Sequence, residues 1–162
     1  MQALRRTCLL SLLVAGAAAT GPLRAADLPA LVTASKPSVL PVGTYHPTAS
    51  PRFGFRGSGF VVADGNLVVT NFHVLPAAGD GPEGTRLVVM VGRSEGNLRN
   101  ARVVASDRPR DLALLLIDGP PLPALPLAEP GSAREGQDVV LMGYPIGGVL
   151  GFSGGLIENG DR

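Results

Sequence analysis

Short runs of Val, Leu and Phe, each bounded by Gly, Pro, Asn or Asp, recur along this chain of 162 residues. Alternation of apolar and polar positions inside such runs is the mark of half-buried strands. Pro37–Tyr45 reads as a first strand, with Pro41 pointing to an edge position or a bulge because it has no N–H to give a ladder. His46–Phe55, with two prolines and two aromatics, reads as a loop, and Arg56-Gly57-Ser58-Gly59 leads from it into a strand over Gly59–Val62. Ala63-Asp64-Gly65-Asn66 then separates that strand from Leu67–Thr70, and its Asp-Gly pair suits the positive φ of a tight hairpin. Further strands are expected at Arg86–Val91, Ala101–Ala105 and Leu112–Ile117. About six strands suffice to close a small barrel filled by its own inward side chains.

The pattern changes after Ile117. Pro120, Pro121, Pro123 and Pro126 hold Asp118–Pro130 extended, as a crossover without a packed core of its own. Gln137–Met142 and Phe152–Ile157 read as two more strands around the glycine-rich stretch Gly143–Gly151, and two strands alone cannot bury a core. Before Lys36 the pattern predicts no strand, and Asp27–Lys36 is read as an arm of uncertain structure. At the N-terminus Arg5 and Arg6 precede an apolar run, Cys8–Ala19, and then small residues, the layout of a secretory signal peptide. Cleavage after Ala19 or after Ala25 fits, and the second is preferred because Asp27 then lies near the mature end. An uncleaved anchor is the plainer alternative, although the run is short for a bilayer.

Composition sharpens this reading without redirecting it. With 22 Gly, 15 Pro and 17% charged residues, the chain favours turns and short strands over long helices. Lys plus Arg number 14 and Asp plus Glu 13, so the net charge of +1 gives no electrostatic reason to expect a nucleic-acid partner. Cys8 is the single cysteine and lies in the signal run, where it is an apolar filler rather than a ligand or nucleophile. No HExxH, no phosphate loop and no paired Cys or His at metal-ligand spacing occurs, so neither a cofactor nor a metal is expected.

General-base chemistry needs an imidazole at a rigid place and a carboxylate on its second nitrogen to hold the correct tautomer. His73, at a strand end in Thr70-Asn71-Phe72-His73-Val74, and Asp111, directly before the apolar run Leu112–Ile117, fit those roles. The bland readings are a hydrogen-bonded structural histidine and a strand-start carboxylate. His46, in its proline-flanked loop, reads as solvated. Ser153, in Gly151-Phe152-Ser153-Gly154-Gly155, looks like a nucleophile loop but reads better as a strand or turn serine. Ser58 is expected to serve backbone geometry just ahead of the hairpin.

Taken in order, Lys36-Pro37-Ser38-Val39, the GSGFVV hairpin, TNFHV, Ala105-Ser106-Asp107, RDLALL, Leu125-Pro126-Leu127 and the stretch Gly136–Pro145 resemble the trypsin-like serine peptidases, closest to the exported high-temperature-requirement (Deg-type) proteases. The resemblance runs from about Lys36 to the end of the chain. It implies an all-β fold, a double β-barrel with the first barrel complete and the second truncated. The corresponding division is a signal peptide over 1–25, a first barrel over 26–119, a crossover over 120–130 and the start of a second barrel over 131–162. It also implies serine endopeptidase activity by acyl transfer, with His73 as general base and Asp111 as orienting acid, acting on polypeptides, including unfolded ones, in the periplasm or outside the cell. The family's nucleophile, in a Gly-x-Ser-Gly-Gly segment, would fall beyond this sequence, so the chain is expected to be an inactive fragment. The alternative is a non-catalytic secreted peptide-binding module or pseudoprotease.

Overall fold

In the computed structural model, which describes residues 28–92, 95–145 and 150–157, the predicted alternation becomes a closed six-stranded barrel and a separate two-stranded ribbon. The barrel strands are β1 (Val39–Tyr45), β2 (Phe53–Val62), β3 (Leu67–Thr70), β4 (Arg86–Met90), β5 (Leu98–Asp107) and β6 (Leu112–Ile117). All neighbouring pairs are antiparallel, in the order β1-β2-β3-β6-β5-β4, and pairing of β1 with β4 closes the ring. The ribbon is β7 (Asp138–Gly143) paired with β8 (Gly151–Leu156). The expected signal peptide lies outside the described residues.

Period-two burial explains why the ring closes. Along β6 the residues Ala113, Leu115 and Ile117 are buried while the intervening leucines are not, and Val68 and Thr70 do the same on β3. Leu115, Ile117 and Val68 meet Leu40, Val42, Val61 and Val89 in one core. Burying each such aliphatic side chain is worth roughly 1.5–3 kcal/mol. Pro41 sits where its missing donor is tolerated, because the β1–β4 ladder begins only at Val42; the pairing of β1 with β2 shifts register just after it, between Val42 and Gly43.

Several boundaries differ from the sequence expectation. Phe53–Phe55 is not loop but the first part of β2, which runs on through Arg56, since Phe53 and Phe55 face Tyr45 and Gly43 of β1 across the ladder. Ser58 accordingly lies inside the strand. The hairpin forms as expected, but its positive φ angles fall on Ala63 (55°) and Gly65 (92°), while Asp64 Oδ1 accepts the Asn66 N–H at 3.3 Å. The arm before Lys36 contains a helix, α1 (Leu28–Ser35), which buries no residue.

The segment after β6 is irregular but lies on the barrel. Leu122 N–H donates to the Gly65 carbonyl at 2.9 Å and Leu125 N–H to the Val61 carbonyl at 2.9 Å. Leu122 and Ala124 pack against the barrel core. A side chain at Gly65 would run into the Leu122 backbone, so this close approach requires glycine as well as its positive φ.

Candidate active site

Thr70, the last residue of β3, is 4% exposed and donates its hydroxyl to the Ser58 carbonyl at 2.7 Å. The chain then leaves the barrel through Asn71 into a single 3-10 turn, Phe72–Val74. Val74 is buried against β2, where Gly57 leaves room: a β-carbon there would collide with the Val74 methyls. The turn thus has one buried side chain to seat it and presents His73, whose side chain is 70% exposed.

Asp111 approaches from the turn that joins β5 to β6. Its N–H donates to the Arg108 carbonyl at 3.1 Å, and Arg110 pairs with Asp107 at 2.7 Å, which fixes that turn. Asp111 has φ 54°, a left-handed conformation that aspartate tolerates better than most residues. In this conformation its main chain and its side chain both serve the segment Asn71–His73. The Asp111 carbonyl accepts the Phe72 N–H at 3.1 Å and the Asn71 side-chain amide at 3.1 Å. The carboxylate accepts the His73 N–H on Oδ1 at 2.9 Å, and His73 Nδ1 on Oδ2 at 2.6 Å, where Asn71 also donates at 3.2 Å. Arg108 adds a cation–π contact, 5.7 Å from the Phe72 ring centroid.

Electrostatics follow from these donors. The His73 backbone N–H, and after it the His73 ring and the Asn71 amide, hold the Asp111 carboxyl below the ordinary aspartate value of 3.8, against a smaller opposing effect of desolvation. A carboxylate oxygen can only accept, so Nδ1 of a neutral His73 carries the proton and Nε2 keeps its lone pair. His46 has the reverse arrangement: Nε2 faces the Glu83 carbonyl at 3.0 Å, and Nδ1 faces the Thr48 hydroxyl at 3.1 Å. The two imidazoles of the chain are thus held in opposite tautomers. Only that of His73 offers Nε2 as a proton acceptor, as general-base chemistry requires.

Both predicted site residues, 38 positions apart, therefore meet in one hydrogen-bonded pair. Ser153 does not join them: it lies in β8 opposite Leu141, and its Oγ donates to the Gly154 carbonyl at 3.2 Å. Ser58 has a larger part than the expected backbone role. Its Oγ accepts the Tyr144 N–H at 2.8 Å, so it ties the barrel to the segment following β7. Between barrel and ribbon runs a crevice of about 240 Å³, lined among others by Ser58, Thr70, Asn71, Leu112 and Met142. Asn71 was missed by sequence reasoning, although it stands beside the histidine turn and has the side-chain type that can brace a carboxylate.

A closed antiparallel barrel with His and Asp paired on adjoining loops at one end defines the frame of a trypsin-type peptidase. Comparison with known proteins places the chain more narrowly. Residues 57–162 match the trypsin-like peptidase domain, and the chain belongs to that family. It is 37% identical over 108 residues to the mitochondrial serine protease HTRA2 of Bos taurus, a match covering 66% of this chain and 22% of that protein. It is also 30% identical over 125 residues to a probable periplasmic serine endoprotease DegP-like of Rickettsia prowazekii, covering 76% of this chain and 23% of that protein. The chain spans about a fifth of the length of these curated relatives. Among solved structures, the HtrA-type protease AlgW with decapeptide shares the fold at a TM-score of 0.60 and 23% identity, over 78% of this chain and 44% of that one.

Proposed function

We propose that His73 and Asp111 are the general base and the orienting acid of a serine endopeptidase that acts on polypeptide chains in an exported compartment. The observation that carries this reading is the 2.6 Å contact between His73 Nδ1 and Asp111 Oδ2, with the His73 N–H on the other carboxylate oxygen. One bond holds the ring and the other the backbone of the same residue on one carboxylate, and a general base must be held if it is to meet a nucleophile repeatedly. In the reaction His73 Nε2 takes the proton of an attacking serine hydroxyl and returns it to the leaving amine, while Asp111 stabilises the intervening imidazolium.

The pair does not itself supply the nucleophile or the oxyanion hole. Among the described residues no serine hydroxyl is hydrogen-bonded to His73, and Ser153 is engaged in its own strand. On this reading the 162-residue polypeptide alone hydrolyses no peptide bond. Polypeptide substrates are supported by the family, and export by the periplasmic relatives together with the expected signal peptide.

The test is hydrolysis of an unfolded protein, together with fluorophosphonate labelling, by the 162-residue chain and by any longer product its gene encodes. We expect no turnover and an unlabelled Ser153 in the first. In a longer product carrying a Gly-x-Ser-Gly-Gly segment, we expect turnover that His73→Ala and Asp111→Asn each remove. If turnover survives both substitutions, the assignment of the pair is wrong. If no product turns over while an unfolded polypeptide binds, the chain is a non-catalytic peptide-binding module.

A further inference from the structure

One charged group beside the His73 turn has no part in the chemistry above. Arg56, in β2, has a side chain only 28% exposed. Its Nε donates to the Val74 carbonyl at 2.7 Å and its Nη2 to the Leu75 carbonyl at 3.0 Å, while Nη1 donates to Asp80 Oδ2 at 2.7 Å. The last carbonyls of a helical turn have no partner within the turn. Here a planar guanidinium provides one for two of them at once, and a carboxylate on its third nitrogen holds it there.

We infer that Arg56, held by Asp80, is a positioning residue for His73, clamping the C-terminal end of the Phe72–Val74 turn so that the imidazole stays on Asp111. The inference rests on the reading of His73 as the general base. Three observations carry it. First, the side chain of His73 is 70% exposed, so packing does not orient the ring. Second, the turn is a single one, and Asn71 makes no side-chain cap to it. Third, the N-terminal end of the turn is tied to Asp111 through the N–H groups of Phe72 and His73, while at the other end, beside the buried Val74 side chain, the Val74 and Leu75 carbonyls are tied by Arg56. The clamp reaches further through Asp80 into the loop between the turn and β4. That loop has a second tie where His46 Nε2 donates to the Glu83 carbonyl at 3.0 Å. Arg56, Asp80 and His46 line one cleft of about 150 Å³ beneath this loop.

The imidazole tautomers test the inference without any need for turnover. The chain has two histidines, so long-range ¹H–¹⁵N correlation spectra contain two assignable rings. Under alkaline conditions the parent chain should show His73 protonated on Nδ1 and His46 on Nε2. In Arg56→Met the His73 nitrogen shifts should move toward the free-imidazole mixture, in which Nε2–H predominates. Arg56→Lys should move them less, because an ammonium keeps the charge but cannot meet three acceptors in a fixed fork, and Asp80→Asn should also produce an intermediate shift. Methyl signals of Val42, Val61 and Leu115 report whether the barrel is intact. If Arg56→Met unfolds it, Arg56→Lys and Asp80→Asn decide. Folded variants whose His73 shifts equal those of the parent overturn the clamp and leave the catalytic reading standing. A parent His73 already protonated on Nε2 overturns the catalytic reading itself.

Discussion

The barrel and the ribbon are built from the same kind of strand, yet one has an interior and the other has none. In the barrel Leu115, Val42, Val61, Val68, Val88 and Val89 are sealed from solvent. In the ribbon Leu141, Phe152 and Leu156 remain 65%, 59% and 61% exposed, and neither β7 nor β8 has a buried residue. Strand patterning therefore sets which way side chains point, whereas burial comes from closure. Six strands have a second side to face and two do not. The paired His73 and Asp111 stand on loops of the closed part, where the ends of β3 and β6 are rigid enough to hold a 2.6 Å contact.

The largest predicted effect would break the comparison if it failed. Leu115→Ala removes a fully buried side chain from the ring and should cost about 3 kcal/mol in denaturant unfolding. Leu141→Ala, on the exposed ribbon, should change stability by no more than about 0.5 kcal/mol. Equal losses at the two sites would mean that the ribbon contributes a core after all.

Next in size is the strap joining the two regions. Gly65→Ala forces a β-carbon into the Leu122 backbone at a residue with φ 92°. Relief requires either a distorted hairpin or a lifted strap, at a cost of about 2 kcal/mol. Faster hydrogen exchange at the Leu122 and Leu125 amides, which donate to Gly65 and Val61, would locate the damage in the strap. Unchanged exchange there would show that the hairpin distorts instead.

Ser58→Ala asks how tightly the ribbon is held. It removes the acceptor that receives the Tyr144 N–H at 2.8 Å, at a cost of about 1 kcal/mol. Faster exchange should appear at Tyr144 and along β7, with the His73 tautomer as in the parent. A changed tautomer would mean that ribbon and site are coupled, and the barrel would no longer be the sole support of the pair.

How much of this was legible in the sequence depended on whether partners were near or far. β6 was read with its observed ends, because Asp111 and Asp118-Gly119 frame an unbroken apolar run. The start of β2 was not, because Phe53-Gly54-Phe55-Arg56 becomes strand only when β1 lies beside it. β5 runs beyond the expected Ala101–Ala105 at both ends, where polar Asn100 and Ser106 pair with β4 and β6. His73 and Asp111 were found through residue types in order, which a sequence displays. Arg56 and Ser58 act on backbone groups 18 or more positions away, and no local pattern announces such bonds.

The smallest predicted effect concerns the site alone, and its sign can be worked out. Asp111 is held below the ordinary aspartate value of 3.8 when folded, because the His73 N–H, the His73 ring and Asn71 all donate to its ionised form. A group whose folded pKa is depressed contributes stability that is complete above its unfolded value and is lost as pH falls through the folded one. Acidification should therefore weaken the carboxylate's hold on the His73 N–H and ring below the ordinary aspartate range, and only there, while the Asp111 main-chain carbonyl keeps the Phe72 N–H. The Asp111 side chain is 44% exposed, so solvent screens the interaction and the change in global unfolding should be slight. The His73 amide shift reads the event directly, with its midpoint displaced downward from 3.8. In Asp111→Asn that transition should vanish, since an amide has no proton to gain in this range and offers one oxygen where the carboxylate offered two. A midpoint at or above 3.8 would mean that the donors around Asp111 do not hold it ionised. The ordering of the His73 turn would then rest on the Arg56 bonds, the buried Val74 side chain and the Asp111 main-chain carbonyl.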